Sequence, residues 1–133
     1  MSDSISSGSW ANNLFAVTIF SEDLAAMGDF YDRVFELPRV FEGETSIVYK
    51  FDQTMINIID IAGAPELIDP APVAGPGTGA RSMFTIQVDD VDALYEKLVA
   101  KGVTFLNGPM DRPWGPRTAA FADPAGHMWE IAN

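Results

Sequence analysis

The feature that most constrains this chain is an internal duplication. The segment AVTIFSEDL (Ala16 to Leu24) lines up with MFTIQVDDV (Met83 to Val91) at one constant offset, and the elements after each copy repeat in the same order. Each copy opens as a short apolar run of strand length, passes into an amphipathic stretch, and ends in three short runs separated by turn residues. The chain is therefore expected to contain two strand-helix-three-strand units, packed as one domain in 133 residues.

In the first unit, LFAVTIF (Leu14 to Phe20) reads as a strand. Ser21 is the expected helix N-cap, with Glu22 and Asp23 in the first turn. Leu24, Met27, Tyr31 and Val34 recur at helical spacing, and Pro38 prevents much continuation beyond Leu37. Strands are predicted over 39–42, 46–51 and 55–61, divided by Gly43 and by Asp52-Gln53. Residues 62–82 are rich in Pro and Gly and read as a linker continuing neither a helix nor a central strand. The second unit gives a strand from Met83, a helix with Asp89 as N-cap and Gly102 as its stop, and strands over VTFLNGP, RTAAFAD and HMWEIA. The division is thus a polar, Ser-rich flexible tail over 1–11, module one over 12–61, the linker, and module two over 83–133.

Alternation along the strands separates two faces. Phe15, Val17 and Ile19, Ile56 and Ile58, Phe84, Ile86 and Val88, and Trp129 and Ile131 form a uniformly apolar set that should pack under the helices. The opposite set, Ala16, Thr18, Phe20, Asn57, Ile59, Met83, Thr85, Gln87, Met128 and Glu130, mixes polar and apolar groups. A lined cleft is the expectation for such a face, because Phe20, Ile59, Met83 and Met128 would be ill placed in open solvent.

Composition narrows the partners. With 19 acidic against 8 basic residues the net charge is −11, which repels nucleic-acid phosphates and anionic lipid. There is no Cys, and hence no disulfide, thiolate metal site or Cys nucleophile. No run approaches the roughly 18 apolar residues of a membrane helix, and MSDSISSGSW lacks both a basic region and an apolar core, so the cytosol is the expected location.

The doubled unit, the EDL and DDV helix openings, FYDRVFEL in the first helix and DPAGHMWEI near the end together resemble the vicinal oxygen chelate superfamily, the glyoxalase, bleomycin-resistance and dioxygenase group. The resemblance runs from about Leu14 to Asn133. It implies an α+β fold of two βαβββ modules in a curved mixed sheet around a cleft, and pairing as a homodimer. A ferredoxin-like or dimeric α/β barrel is the runner-up, but it does not explain three strands after each helix. Metal-using members of the superfamily place His, Gln or Glu on the first and last strands of each unit, and the matching positions here are Ala16, Asn57, Met83 and Glu130. A methyl group and a thioether do not suit a hard divalent ion, so the expectation is no metal and no other cofactor, with a weak site at Glu130 and Asn57 as the alternative.

Glu130 is the first candidate, either as a carboxylate that binds a ligand or acts as a general base, or as a vestigial ligand paired with Arg117 or another neighbour. His127, the sole His, reads as a turn residue of DPAGH off the parity of Glu130. In NGPMDRPWGPR, Trp114 could lid the cleft and Arg117 could hold an anionic group, while Asp111 and Arg112 read as members of a structured hairpin. GPGTG lacks the Lys and the strand-to-helix setting of a phosphate loop, and no Ser-His-Asp arrangement is expected. The predicted ligand-binding set is Phe20, Asn57, Thr85, Gln87, Trp114, Arg117, Met128 and Glu130. Two functions fit it: a metal-poor protein that binds and sequesters a small aromatic or cationic molecule, or a glyoxalase-like isomerase or lyase using Glu130.

Overall fold

The computed structural model describes residues 10–75 and 77–133, so most of the tail predicted over 1–11 lies outside the described residues. Module one comprises β1 (Ala16–Ser21), α1 (Leu24–Phe35), β2 (Arg39–Glu42), β3 (Ser46–Phe51) and β4 (Thr54–Asp60). A 3-10 turn (Ile61–Gly63) and the one-turn helix α2 (Pro65–Ile68) follow. Module two comprises β5 (Met83–Gln87), α3 (Val91–Ala100), β6 (Phe105–Asp111), β7 (Arg117–Ala122) and β8 (Met128–Ala132). The sheets have the equivalent orders β1-β4-β3-β2 and β5-β8-β7-β6, with the first pair of each parallel and the rest antiparallel. The duplication read from the sequence is thus a duplication of topology.

Three local expectations are corrected. The helix caps are Asp23 and Asp90, not Ser21 and Asp89: their carboxylates accept from the backbone N–H groups of Ala26 and Ala93 at 3.0 Å each. Ser21 belongs to β1, paired with Asp60, and its hydroxyl supports the cap by accepting from the Asp23 N–H. The linker does begin with a helix, because Pro65 takes the first helical position, where a missing N–H costs nothing. Phe15, expected under the helices, is 63% exposed, since β1 begins only at Ala16.

The other helix-facing residues meet in one core shared by both modules. Ile19, Ile56, Ile58, Trp129 and Ile131 are buried there, with Val17, Phe84, Ile86 and Val88 packed against them. Its centre is aromatic: Trp129 of β8 stacks on Phe51 of β3 at 5.4 Å between ring centroids, and lies 4.7 Å from Phe35 of α1 and 5.1 Å from Phe84 of β5. Helix α1 therefore touches both sheets. Its C-terminal end is tied to α3, with Lys97 and Lys101 on Glu36 and Arg33 on the Lys101 carbonyl.

One polar network crosses this core. Tyr31 of α1 donates to Asp123 Oδ2 at 2.8 Å and accepts from Trp129 Nε1 at 3.1 Å. Asp123 Oδ1 accepts from the backbone N–H groups of Ala125 and His127. Burial and the nearby carboxylate push the Tyr31 hydroxyl well above the usual phenol range, so it stays a donor. The Tyr31→Phe substitution leaves a buried carboxylate one donor short. It is expected to cost about 1–3 kcal/mol, read as a lower urea midpoint with an unchanged m-value.

Candidate functional site

Because the helix-facing sides of both sheets meet each other, their opposite sides point away from the common core. Each is the polar-apolar face predicted from the sequence, and the duplication repeats its layout. In module one Thr18 lies beside Asn57 in the parallel β1–β4 register, and in module two Thr85 lies beside Glu130 in the β5–β8 register. Asn57 Nδ2 approaches Thr18 Oγ1 at 3.4 Å, and Thr85 Oγ1 donates to Glu130 Oε1 at 2.9 Å. Val48 and Ala120 continue these rows on β3 and β7. Beside them run Ile59 and Phe20 in module one and Ala132 and Gln87 in module two, and on the other flank Met55 and Ala16, and Met128 and Met83.

Of the predicted ligand-binding residues, Thr85, Gln87, Met128 and Glu130 share one face of module two, and Phe20 and Asn57 share the equivalent face of module one. Each sheet remains open, so a single chain carries two half-clefts. Glu130 is half-buried and its partner is Thr85, not Arg117.

Arg117 is not brought to this face. It shares the parity of Ala119 and Phe121, on the helix side of β7, and its guanidinium grips both carboxylate oxygens of Asp92 on α3, at 2.9 and 3.1 Å, and Asp111 at 3.0 Å. The Asp92 carboxyl is held below its ordinary range by that pair. The cation on the Glu130 side is Arg112. Its Nε donates to Thr118 Oγ1 at 2.8 Å, its Nη2 reaches Asn107 Oδ1 at 3.5 Å, and its guanidinium lies 5.8 Å from the Trp114 ring centre. Asn107, opposite Ala120, extends the Glu130 row onto β6, and Thr118, opposite Ala132, sits in the row beside it. The sequence reading of Arg112 as a member of a structured hairpin agrees with these bonds, but its side of the sheet was not readable because β6 carries register shifts between Phe105 and Met110, which break the alternation used to assign faces. Trp114, at the tip of the same hairpin, is 72% exposed and stacks with Arg112 without closing over the sheet.

His127 sits in the turn before β8, with Nδ1 3.1 Å from both Asp123 oxygens. The four positions that match the superfamily's metal ligands, Ala16, Asn57, Met83 and Glu130, supply one carboxylate and one amide, with Thr18 and Thr85 adding neutral hydroxyls. Among the described residues no three His, Cys, Asp or Glu side chains converge. This donor set does not fit a hard divalent ion, which needs several charged or strongly dipolar oxygens or imidazoles.

Fold and face together define a βαβββ duplicated domain, and the comparisons agree. The model of the Glyoxalase/Bleomycin resistance protein/Dioxygenase superfamily matches residues 13–131, and the chain belongs to that superfamily. It is 30% identical over 123 residues to the YraH protein of Bacillus subtilis, covering 89% of this chain and 95% of that one. Among solved structures, a glyoxalase/bleomycin resistance protein/dioxygenase from Nocardioides superposes with a TM-score of 0.83 at 20% identity, over 97% of this chain and 86% of that one. A glyoxalase-related enzyme from Fulvimarina pelagi gives 0.77 at 28% identity, over 90% and 86%. No helix among the described residues is long and apolar enough to cross a membrane.

Elemental analysis after gel filtration is expected to find Zn, Ni, Fe and Mn each far below one atom per chain, and unchanged in Glu130→Ala. Near-stoichiometric metal that disappears in that variant would overturn the donor count.

Proposed function

We propose that this protein binds a small organic molecule in a metal-poor cleft formed by the Glu130 face of one copy and the Asn57 face of a second. The observation that carries this reading is the outward direction of both duplicated faces. Two equivalent half-clefts on opposite sides of one core cannot close on each other, but a two-fold pairing would set each against its counterpart. It would also cover the free edges of β1 and β5. The lining would then combine Thr18, Phe20 and Asn57 of one chain with Thr85, Gln87, Met128, Glu130, Arg112 and Trp114 of the other. Thioethers and aromatic rings favour an aromatic ligand, and the acidic balance of the chain favours a cationic one. Such a cleft sequesters its ligand without transforming it.

A second reading, catalysis of a glyoxalase-like isomerisation or lyase reaction, is supported by the Thr85–Glu130 bond. That bond fixes the carboxylate toward the cleft, where it could accept a proton from a carbon acid. The 28% identity to the Fulvimarina pelagi protein favours the same reading.

Light scattering at micromolar concentration is expected to give the dimer mass, and a monomer mass would remove the shared cleft. In a thermal-shift panel, an aromatic or cationic ligand at about a hundred times its dissociation constant should add roughly 2.7 kcal/mol of stability. Shifts given only by small anions would make Arg112, not Glu130, the residue that sets ligand charge. Turnover of methylglyoxal and glutathione, lost in Glu130→Gln, would replace sequestration by catalysis.

A further inference from the structure

A second cavity, of about 410 Å³, lies beside β1; it shares Thr18 and Phe20 with the Asn57 face but includes none of the Glu130 face. It is bounded by Thr18, Phe20 and Glu22, by residues 73–75 and 78–82 of the linker, and by Phe84 and the Ala125–His127 turn. We propose that it is a binding site for a small oxyanion, a carboxylate or phosphate group, held by Arg81 and His127.

Three observations meet here. The first is the state of the imidazole. Asp123, whose carboxylate is fully buried, fixes Nδ1 of His127 by contacts of 3.1 Å to each oxygen, while the same carboxylate is anchored from behind by Tyr31 and by two backbone N–H groups. An orientation set by so many bonds leaves Nε2 as the nitrogen available to a ligand in the cavity. It donates to an oxyanion when the ring is protonated and accepts from a phosphate or carboxylic hydroxyl when it is neutral. The second is Arg81. In a chain with 19 acidic residues for 8 basic ones, Arg33, Arg39, Lys97, Lys101 and Arg117 all hold carboxylates, whereas Arg81 has no ion-pair partner among the described residues although it lines this cavity. A guanidinium presents paired donors that match the oxygens of a carboxylate or phosphate. The third is the rest of the polar lining. Thr18 and Ser82 add hydroxyls that can donate to an anion, while the Thr78 hydroxyl is taken by the Gly75 carbonyl, and Glu22 is the one carboxylate among the described lining residues. The net charge of the chain does not forbid this site, because at physiological ionic strength charges beyond about 8 Å are largely screened and the local pair decides.

His127 is the only His in the chain, so its ring protons give one set of proton NMR signals and report this cavity alone. The experiment titrates the intact protein with sodium acetate and, separately, with inorganic phosphate, each at constant ionic strength set by sodium chloride. Saturable movement of the His127 signals is expected with at least one of them, and which one saturates identifies the preferred oxyanion. Arg81→Gln should weaken that binding about tenfold or more, the loss of one charge-assisted pair. Glu22→Gln should tighten it severalfold by removing the opposing charge. Glu130→Gln should leave it unchanged, which separates this site from the Glu130 side of the proposed cleft, so an inert Glu130 face would not affect the outcome. Shifts that grow linearly without saturation, or binding unaltered in Arg81→Gln, would overturn the assignment. So would binding abolished in Glu130→Gln, since the ligand would then lie on the other face.

Discussion

Everything in this molecule depends on how the two modules are joined, and they are joined through the Trp129 ring. Its ring meets Phe51 on β3, Phe84 on β5, and Phe35 and Tyr31 on α1. Aromatic pairs at these separations contribute roughly 0.5–1.5 kcal/mol beyond their buried area. Their larger effect is directional. By drawing the helix-facing side of each sheet toward the other, they leave no alternative for the second side but to face outward. The location of the candidate cleft is thus a consequence of apolar packing.

The polar chain from Trp129 Nε1 through Tyr31 to Asp123 gives that packing a fixed register. Aromatic contacts tolerate sliding, whereas a buried carboxylate that has lost its water must meet particular donors or forfeit their full strength. Asp123 lies in the turn that leads into β8, the strand that ends in Glu130, Ile131 and Ala132. The bond from α1 of module one therefore positions the strand that carries Glu130, the candidate carboxylate of module two. The same carboxylate turns His127 toward the cavity beside β1. One buried acid connects the join between modules, the placement of Glu130 and the orientation of the sole imidazole.

Much of this was legible in the sequence, for identifiable reasons. The duplication and the strand parity rest on periodicities that survive wherever pairing is regular, and β3 was bounded correctly because turn residues flank it on both sides. The caps were misplaced by one or two residues because Ser21, Asp23, Asp89 and Asp90 are all competent caps, and only the extent of strand pairing chooses among them. Arg112 belongs to the hairpin as expected, and what alternation did not reveal is which side of the sheet Arg117 and Arg112 take. β7 is regular, so Arg117 falls on the helix side, where Asp92 was available, while Arg112 follows the bulged β6 and reaches Thr118 and Asn107 without a readable alternation. What the sequence could not convey is that the two apolar faces meet each other, because parity tells which residues share a side and says nothing about what lies against it.

That last distinction also decides how the two half-clefts should be compared. Asn57 and Glu130 occupy equivalent places in the duplicated topology, yet one is neutral and the other is charged, and each is bonded to a threonine at the same place in its module. A symmetric ligand would have no use for this asymmetry. If each Glu130 faces an Asn57, a bound molecule meets one formal charge and one amide that can donate or accept, with Arg112 at the hairpin margin on the Glu130 side alone. Electrostatic contrast across the cleft then runs in one direction and orients the ligand, and two such clefts in a two-fold dimer orient it identically. The open faces would therefore confer direction through the divergence of the two repeats, while the shared core retains their common architecture.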